Sequence, residues 1–301
     1  MNVIVYGAGA LGSFFGGLLS TQHQVTLVGR PAHVQAVKRE GLRISGETSL
    51  VAHPATVTSL SEAPDAVHSD LVLLTVKAFH TRQAVEDVAA HTSAPLLSLQ
   101  NGLGNEEAIA EGAGEGRALG GVTTHGVLFV EPGHVRHTGS GDTIVGELDG
   151  SLSPRVRRIA DGFSAAGIPT LVSSDIRRDL WRKALVNAAI NPLSAVLRCK
   201  NGYLLENPHA RRVMEDVCEE GSAVARAAGI DVGQDVMDRV TEVATHTREN
   251  LSSMLQSLLA GKRTEIDHIN GVIVSRGREE GISTPVNATL ISIVRALEMQ
   301  K

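Results

Sequence analysis

Aromatic residues and cysteines are both scarce in this 301-residue sequence. Phe, Trp and Tyr together make up 3% of the chain, so the hydrophobic core must be built from Ala, Val, Leu and Ile. The two cysteines, Cys199 and Cys218, have neither the spacing of metal ligands nor that of a disulfide framework. This usage is typical of reduced thiols in a cytosolic protein.

Basic clusters and long apolar runs are also missing. The net charge is −5 and Lys and Arg form no concentrated run, which argues against a nucleic-acid surface. No apolar run reaches the roughly 18 residues that a membrane span needs. The N-terminus lacks the basic stretch and cleavage site of a signal peptide. We therefore expect a cytoplasmic protein of about two domains that binds neither nucleic acid nor membrane.

The first half of the chain alternates short Val/Leu/Ile runs with segments of helical spacing, which predicts a parallel sheet with helices on both faces. Four runs are typical of its buried strands: Val3–Tyr6, Val25–Val28, Leu71–Val76 and Leu96–Leu99. Beyond Gly120, three further segments are expected to extend the sheet in the antiparallel direction: Val122–Val130, His134–His137 and Thr143–Val145.

The second half is predicted to be entirely helical. Its expected helices are Val156–Ala166, Asp175–Ile190, Pro208–Ala228, Gln234–Ala260 and Thr264–Glu280. Pro192 is expected to end the second of them, because proline lacks the N–H that a helix interior uses. The fold class is thus an α/β doubly wound Rossmann-type domain, residues 1–170, followed by an all-α domain, residues 171–301.

The segment Gly7-Ala8-Gly9-Ala10-Leu11-Gly12 has G-x-G-x-x-G spacing directly after a strand and at the start of a helix. In this context the pattern predicts a dinucleotide site. The first glycine permits the tight turn, the second lets the backbone approach a pyrophosphate, and the third permits close packing of helix on strand. The helix N-terminus supplies N–H groups and a partial positive charge for the phosphates.

The end of the second strand indicates which dinucleotide binds. An NAD site places an acidic residue there for the ribose 2′-hydroxyl, but this strand runs into Gly29-Arg30-Pro31. A guanidinium suits a 2′-phosphate, so Arg30 favours NADPH. The alternative is a solvated surface arginine.

Lys77 and Asn101 each follow the end of a predicted parallel strand. Because ligands of open α/β sheets bind beyond the carboxyl ends of the strands, we expect both residues near the cofactor. A surface lysine and an Asn-Gly turn are the alternatives.

Lys183, Asn187 and Asn191 are spaced i, i+4 and i+8 in an otherwise apolar helix, which places them on one face. Burial of such groups without partners is costly, so the spacing favours a polar ligand, and a shielded lysine can donate a proton. A lysine on a solvated helix edge remains the alternative. Asn250 and Ser253, expected on one helix, and Glu265 form a second polar set with unremarkable spacing.

With these motifs in place, the chain resembles the 2-dehydropantoate 2-reductase, or ketopantoate reductase, family nearly end to end. The resemblance is carried by the glycine loop, Lys77-Ala78, Asn101-Gly102-Leu103-Gly104, Thr123-Thr124-His125, Leu180-Trp181-Arg182-Lys183, Asn187, Asn191-Pro192-Leu193-Ser194-Ala195, Asn201-Gly202, Asn250-Leu251-Ser252-Ser253-Met254-Leu255-Gln256 and Thr264-Glu265-Ile266-Asp267-His268-Ile269-Asn270-Gly271. Gly126-Val127-Leu128-Phe129 is more apolar than the family pattern leads us to expect.

The resemblance implies a site in the cleft between a Rossmann domain and a helical domain, where NADPH reduces the C2 carbonyl of ketopantoate to give (R)-pantoate for pantothenate and coenzyme A synthesis. It implies that Lys183 is the general acid and that Glu265 is its partner, near cofactor and substrate. It implies substrate contacts at Asn187, Asn191, Asn201, Asn250 and Ser253. Its implied cofactor contacts beyond the glycine loop are Lys77, Asn101 and the backbone near Gly126. No metal is implied.

Two other functions stay open at this point. A reductase of the same family acting on another small 2-keto acid would carry the same motifs. A non-catalytic NADPH-binding sensor would be expected to lack the acid–base set, whereas Lys183 and Glu265 are both present. The apolar helix faces are compatible with a homodimer or with a monomer.

Overall fold

The computed structural model describes residues 1–300, with Pro64 described by its backbone alone. Contacts divide the chain into two units, one of residues 1–100 and 105–176, the other of residues 101–104 and the chain from Arg177 onward. No helix within residues 1–300 is both long enough and apolar enough to cross a membrane.

The strands all belong to the first unit. In chain order they are β1 (Asn2–Tyr6), β2 (Gln24–Val28), β3 (Leu42–Gly46), β4 (Leu50–Ala52), β5 (Ala55–Val57), β6 (Leu71–Leu74), β7 (Leu96–Ser98), β8 (Ala118–Thr123), β9 (Gly126–Glu131), β10 (His134–Gly139), β11 (Thr143–Glu147) and β12 (Thr170–Val172). The helices of this unit are α1 (Ala10–Leu19), α2 (Pro31–Glu40), α3 (Thr81–His91), α4 (Asn105–Ala113) and α5 (Pro154–Ala165).

Eight of these strands form one sheet in the order β5-β2-β1-β6-β7-β8-β11-β12. The first six are parallel neighbours, and the chain reverses its direction of travel between β1 and β6, as in a doubly wound Rossmann sheet. This order places the carboxyl ends of β1 and β6 side by side, which is where such sheets bind their ligands.

Both faces of the large sheet are buried. Because side chains alternate along a strand, Val3 and Val5 lie in one core with Phe14 and Phe15, whereas Ile4 lies in another. The second core also holds buried residues of β6 and of α3 and α4. The four parallel strands predicted from sequence are therefore confirmed, with β6 ending two residues earlier than expected.

A second sheet of order β4-β3-β10-β9 was not predicted from the sequence. The expected single strand Val122–Val130 is wrong: β8 stays in the large sheet and β9 pairs with β10 in the small one. The chain turns at Thr124, whose N–H and Oγ1 hydrogen bond with Asp142. Of the three segments expected to extend the large sheet antiparallel, the last does so as part of β11, which pairs with β8.

The second unit consists of helices. They are α6 (Ile176–Leu197), whose first residue belongs to the first unit, α7 (Tyr203–Glu206), α8 (Pro208–Ala227), α9 (Val236–His246), α10 (Ser253–Leu259), α11 (Asn270–Glu279) and α12 (Pro285–Glu298). The predicted helix over Gln234–Ala260 is wrong, because residues 247–252 separate α9 from α10. The carbonyls of Arg248 and Asn250 accept hydrogen bonds from residues 202 and 201 instead, and Ser252 caps α10.

The expected helix end at Pro192 is also wrong. α6 continues through Pro192 to Leu197. Proline removes the N–H that would bond to the carbonyl of Ala188, four residues back. The Asn270 side chain replaces it, because its Nδ2 lies 3.1 Å from the Ala188 oxygen. A side chain distant in sequence thus keeps the helix intact.

Glu147, at the end of β11, allows a stability test in the first unit. Its buried carboxylate accepts hydrogen bonds from Arg155 and Ser153. Burial raises the pKa of Glu147, but these hydrogen bonds outweigh it and hold that pKa below its ordinary value of 4.5. We expect Glu147→Gln to lower the free energy of unfolding by about 1–3 kcal/mol at pH 7 in urea titrations.

Because the folded pKa of Glu147 lies below the unfolded one, this contribution is present above pH 4.5 and is lost as the pH falls through the folded pKa. The difference between wild type and Glu147→Gln should therefore shrink below that pH. Glu111→Gln, which breaks the exposed pair with Arg82, is the control and should change stability by less than about 0.5 kcal/mol. A pH-independent difference would contradict the assignment.

Candidate functional site

The turn from β1 into α1 is closed by contacts that leave no room for side chains at two of its glycines. Gly7 adopts a φ of +111°, and Thr75 at the end of β6 donates its hydroxyl to the Gly7 carbonyl at 2.8 Å. A Cβ on Gly12 would overlap that same carbonyl oxygen and the Thr75 Oγ1. Gly7 and Gly12 are therefore required by the protein's own backbone.

Gly9 is different from the other two glycines. A Cβ built there would meet only the Gly7 oxygen, at 4.0 Å, so the described chain does not itself exclude a side chain. The second glycine of a dinucleotide fingerprint is needed because the pyrophosphate approaches the backbone at that point. The open space over Gly9 fits this group.

The N-terminus of α1 is equally suited to an anion. Gly9 is its N-cap and provides no side-chain hydrogen bond, and the first turn contains no acidic residue. The first N–H groups of a helix have no intrahelical acceptor and carry a partial positive charge. The residues present at this turn therefore fit the diphosphate of a dinucleotide.

Arg30 lies at the end of β2, one residue beyond a contact with the glycine loop. A Cβ on Gly29 would lie 2.8 Å from that of Ala8, so the turn after β2 packs directly against the loop. Arg30 is exposed and is the N-cap of α2, and its neighbours Gly29 and Pro31 carry no charge. A guanidinium is therefore available beside the loop, in a position suited to a phosphate.

Lys77 lies just past the carboxyl end of β6 and is exposed. The ends of β6 and β7 are held together by Gln100, whose Nε2 donates to the Val76 carbonyl at 2.9 Å and to the Thr81 hydroxyl at 2.8 Å. Lys77 thus lies at the edge of the sheet expected for a cofactor contact.

The segment 101–104 is fixed within the second unit. The Leu103 N–H donates to the His268 carbonyl at 2.9 Å, and a side chain at Gly102 would overlap that carbonyl. Glu265 begins the same turn, and its carbonyl accepts the His268 N–H. The hydrogen bond from Leu103 to His268 therefore joins the two backbone segments that contain Asn101 and Glu265, both of which are predicted cofactor residues.

The Glu265 side chain is almost completely buried, with 6% of its surface exposed. Burial lowers the pKa of His268, whereas the Glu265 and Asp267 carboxylates favour its charged form. Burial raises the pKa of Asp267, but hydrogen bonds from Arg295 and Arg263 outweigh that effect and lower it. The turn thus combines a buried acidic side chain with an imidazole whose pKa is lowered.

Lys183, Asn187 and Asn191 all lie on α6, as predicted. Lys183 and Asn187 are half-buried and Asn191 is buried. The Asn187 Nδ2 is a buried donor with no hydrogen-bond partner in residues 1–300. Because native proteins rarely leave such a group unsatisfied, this atom is a candidate contact for a polar ligand.

Asn201 is hydrogen bonded to the segment that separates α9 from α10. Its N–H donates to the Asn250 carbonyl at 3.1 Å, and its Nδ2 donates to the Thr247 hydroxyl at 2.9 Å. Its Oδ1 is buried and accepts no hydrogen bond within the described part of the chain. Asn201 therefore presents an unsatisfied acceptor in the same unit as the Asn187 donor.

Ser253 and Asn250 are exposed. Ser252, which precedes Ser253, lies 2.7 Å from the Ser194 hydroxyl and also reaches the Asn191 carbonyl. The expectation that Asn250 and Ser253 share a helix is wrong, since Asn250 lies in the break before α10. At this break the Asn250 carbonyl accepts the Asn201 N–H, and Ser252, next to Ser253, contacts the Asn191 carbonyl.

A chain of imidazoles beside Gly126 was not predicted from the sequence. The Gly141 N–H donates to His125 Nδ1 at 3.3 Å. His137 Nε2 lies 3.1 Å from the same Nδ1, and Thr48 contacts the other nitrogen of His137. Burial, with a smaller effect of His137, lowers the pKa of His125. The Thr123-Thr124-His125 motif was the available signal.

Comparisons with known proteins place the chain in a family. The model described as "Ketopantoate reductase PanE/ApbA" matches residues 3–150, and the one for its C-terminal part matches residues 175–298. A 2-dehydropantoate 2-reductase of Archaeoglobus fulgidus is 42% identical over 99% of this chain and 98% of its own. The chain belongs to the ketopantoate reductase family.

Solved structures agree with this placement. A PanE/ApbA family ketopantoate reductase from Ralstonia eutropha is 36% identical, with a TM-score of 0.90 over 99% of this chain and 98% of its own. A ternary complex of D-mandelate dehydrogenase with NADH and anilino(oxo)acetate is 27% identical, with a TM-score of 0.89 over the same shares. The chain is accordingly an oxidoreductase that uses a nicotinamide cofactor and acts on a keto acid.

Gly9 and Gly12 form a matched pair for testing the cofactor site. We expect Gly9→Ala to weaken nicotinamide dinucleotide binding by more than about 30-fold while Tm changes by less than about 2 °C, because only the ligand excludes its methyl group. Gly12→Ala should lower Tm by about 5 °C or more, because its methyl overlaps the Gly7 carbonyl. Cofactor fluorescence titration and thermal denaturation measure both effects. Equal losses of Tm would contradict the distinction.

Proposed function

We propose that this chain reduces the C2 carbonyl of 2-dehydropantoate to (R)-pantoate with NADPH. The observation that carries the proposal is the α6 face, where a half-buried lysine lies one turn from an asparagine whose buried Nδ2 has no partner in residues 1–300. Such a face offers a charge and an unsatisfied donor to a small, oxygen-rich anion. The product would serve pantothenate and coenzyme A synthesis.

We assign the cofactor to the first unit and the substrate contacts mainly to the second. This division follows the expected domains, residues 1–170 and 171–301. The glycine loop, Arg30 and Lys77 lie at the carboxyl edge of the large sheet. Gly126 begins β9, directly after the His125 segment, and is assigned to the nicotinamide end. Asn101 and Glu265, which flank the His268 carbonyl, are assigned contacts to the cofactor from the second unit.

Lys183 acts as the general acid in this proposal. The bound nicotinamide supplies a hydride, and the substrate's carbonyl oxygen then gains negative charge. A positioned ammonium stabilises that oxygen and donates the proton that completes the hydroxyl group, and each effect is worth about 2–4 kcal/mol of the barrier. Glu265 is its acidic partner, and the burial of its carboxylate makes it suited to holding the substrate hydroxyl.

The remaining polar residues of the second unit bind and orient the substrate. Asn187 contributes an amide donor, and Asn201 contributes an unsatisfied acceptor suited to a hydroxyl group. Amide and hydroxyl groups orient a carboxylate without adding a second positive charge. We assign this function to the set Asn187, Asn191, Asn201, Asn250 and Ser253.

A second candidate is a reductase of the same family that acts on a different 2-oxo acid. The likeness to D-mandelate dehydrogenase, solved with NADH and an oxoacetate, favours keeping it. Initial rates of NADPH oxidation at 340 nm with 2-dehydropantoate, 2-ketoisovalerate, pyruvate and phenylglyoxylate distinguish the two. We expect kcat/KM to be at least about tenfold higher for 2-dehydropantoate. A tenfold preference for another acid would overturn the substrate assignment.

Cofactor choice is tested at Arg30. We expect Arg30→Asp to raise KM for NADPH by about 30-fold or more and to leave KM for NADH within about threefold, because a carboxylate repels the 2′-phosphate. Arg39→Asp, an exposed arginine at the other end of α2, is the matched control and should change neither value. An unchanged NADPH preference in Arg30→Asp would remove the assignment.

The general acid is tested at Lys183. We expect Lys183→Ala to lower kcat by about 10²-fold or more, because the alkoxide loses both its counter-charge and its proton donor. Lys262→Ala, an exposed lysine of the same unit, is the control and should keep the wild-type kcat. A loss below threefold in Lys183→Ala, with the fold intact by circular dichroism, would refute the role.

A further inference from the structure

The carbonyl of Ala188 occupies an exceptional position in α6. It would normally accept the N–H of residue 192, but that residue is proline and has none. Ala188 is completely buried, so water cannot replace the missing donor. It lies between Asn187 and Asn191, two of the residues assigned to the substrate. The continuity of the polar face therefore depends on how this one carbonyl is satisfied.

Asn270, the first residue of α11, supplies the replacement. Its Nδ2 donates to the Ala188 oxygen at 3.1 Å and to the Asn287 Oδ1 at 2.9 Å, and the side chain is completely buried. Its Oδ1 is buried without a partner in residues 1–300. Within this part of the chain, the Asn270 amide thus hydrogen bonds only through its Nδ2 group, which donates to the Ala188 carbonyl of α6 as well as to Asn287.

The orientation of the Asn270 amide is fixed by the Glu220 carboxylate, to which it is connected through the side chain of Asn287. Glu220 on α8 can only accept, and it accepts the Asn287 Nδ2 at 2.7 Å and the backbone N–H groups of Val286 and Asn287. The Asn287 Oδ1 must therefore face Asn270, which in turn must present its Nδ2. One network thus joins four helices: Asn270 on α11 donates both to Ala188 on α6 and to Asn287 on α12, and Asn287 donates to Glu220 on α8.

We propose that Asn270 is a positioning residue for the substrate site. This inference rests on the proposed function of the α6 face. Lys183 and Asn187 lie before the turn of α6 that runs from Ala188 to Pro192, whereas Asn191 lies within that turn and Asn201 follows it in the chain. The Asn270 hydrogen bond fixes the geometry of that turn, and so it fixes the spacing between the two parts of the substrate-binding set. Asn270 itself does not touch substrate.

A double-mutant cycle with Pro192 tests this inference. The enzymes compared are wild type, Asn270→Ala, Pro192→Ala and the double variant, each measured for kcat, KM for 2-dehydropantoate, NADPH binding and Tm. We expect Asn270→Ala to raise KM for the keto acid by about tenfold, with NADPH affinity within about twofold of wild type. With Ala at position 192, an N–H is restored to the Ala188 carbonyl, and the same substitution should then raise KM by less than about threefold.

An equal rise in KM in both backgrounds would overturn the proposal, as would a lowered Tm with unchanged KM, which a purely structural amide would give. If Asn270→Ala does not fold, Asn270→Ser, which is too short to reach Ala188, replaces it in the same cycle. If wild type reduces another 2-oxo acid better, the proposed substrate fails, and the cycle run on that acid still decides the role of Asn270.

Discussion

The contact between residue 12 and the carbonyl of Gly7 is the constraint on which the first unit depends. It brings the start of α1 directly over the end of β1, and the Thr75 hydroxyl fixes the same carbonyl from β6. The turn is therefore set by close backbone packing and the Thr75 hydroxyl, at the carboxyl ends of the neighbouring strands β1 and β6. We propose the dinucleotide site there, where a Cβ on Gly9 would meet only the Gly7 oxygen, at 4.0 Å.

The second unit has a different constraint, because it buries polar side chains among apolar helices and those side chains need hydrogen-bond partners. Pro192 removes the N–H that the Ala188 carbonyl would accept, directly after the part of α6 that carries Lys183 and Asn187. A buried network from Glu220 to Asn270 compensates for the missing N–H. Asn187 and Asn201, each with one buried polar atom that has no partner in residues 1–300, are among the residues assigned to the ligand. The carbonyl of Ala188, which Asn270 pairs, thus directly follows Asn187, whose Nδ2 has no partner in residues 1–300.

Local patterns in the sequence predicted what is determined locally. The four parallel strands, the glycine loop and the spacing on α6 follow from periodicity and turn chemistry, and the structure has them. The small sheet and the passage of α6 through Pro192 were not predictable in this way, because each depends on a partner far along the chain: β3 pairs with β10, and Asn270 reaches Ala188. The position of Asn250 depends on its long-range bond to Asn201 in the same way.

We propose, above all, that the α6 face binds the keto acid and that Arg30 binds the 2′-phosphate. A crystal structure of the ternary complex with NADP⁺ and pantoate tests both at once. The account predicts the pantoate C2 hydroxyl within hydrogen-bond distance of Lys183 Nζ, a pantoate oxygen on the Asn187 Nδ2, and the 2′-phosphate on the Arg30 guanidinium. Pantoate bound away from α6, or a 2′-phosphate contacting solvent alone, would contradict it.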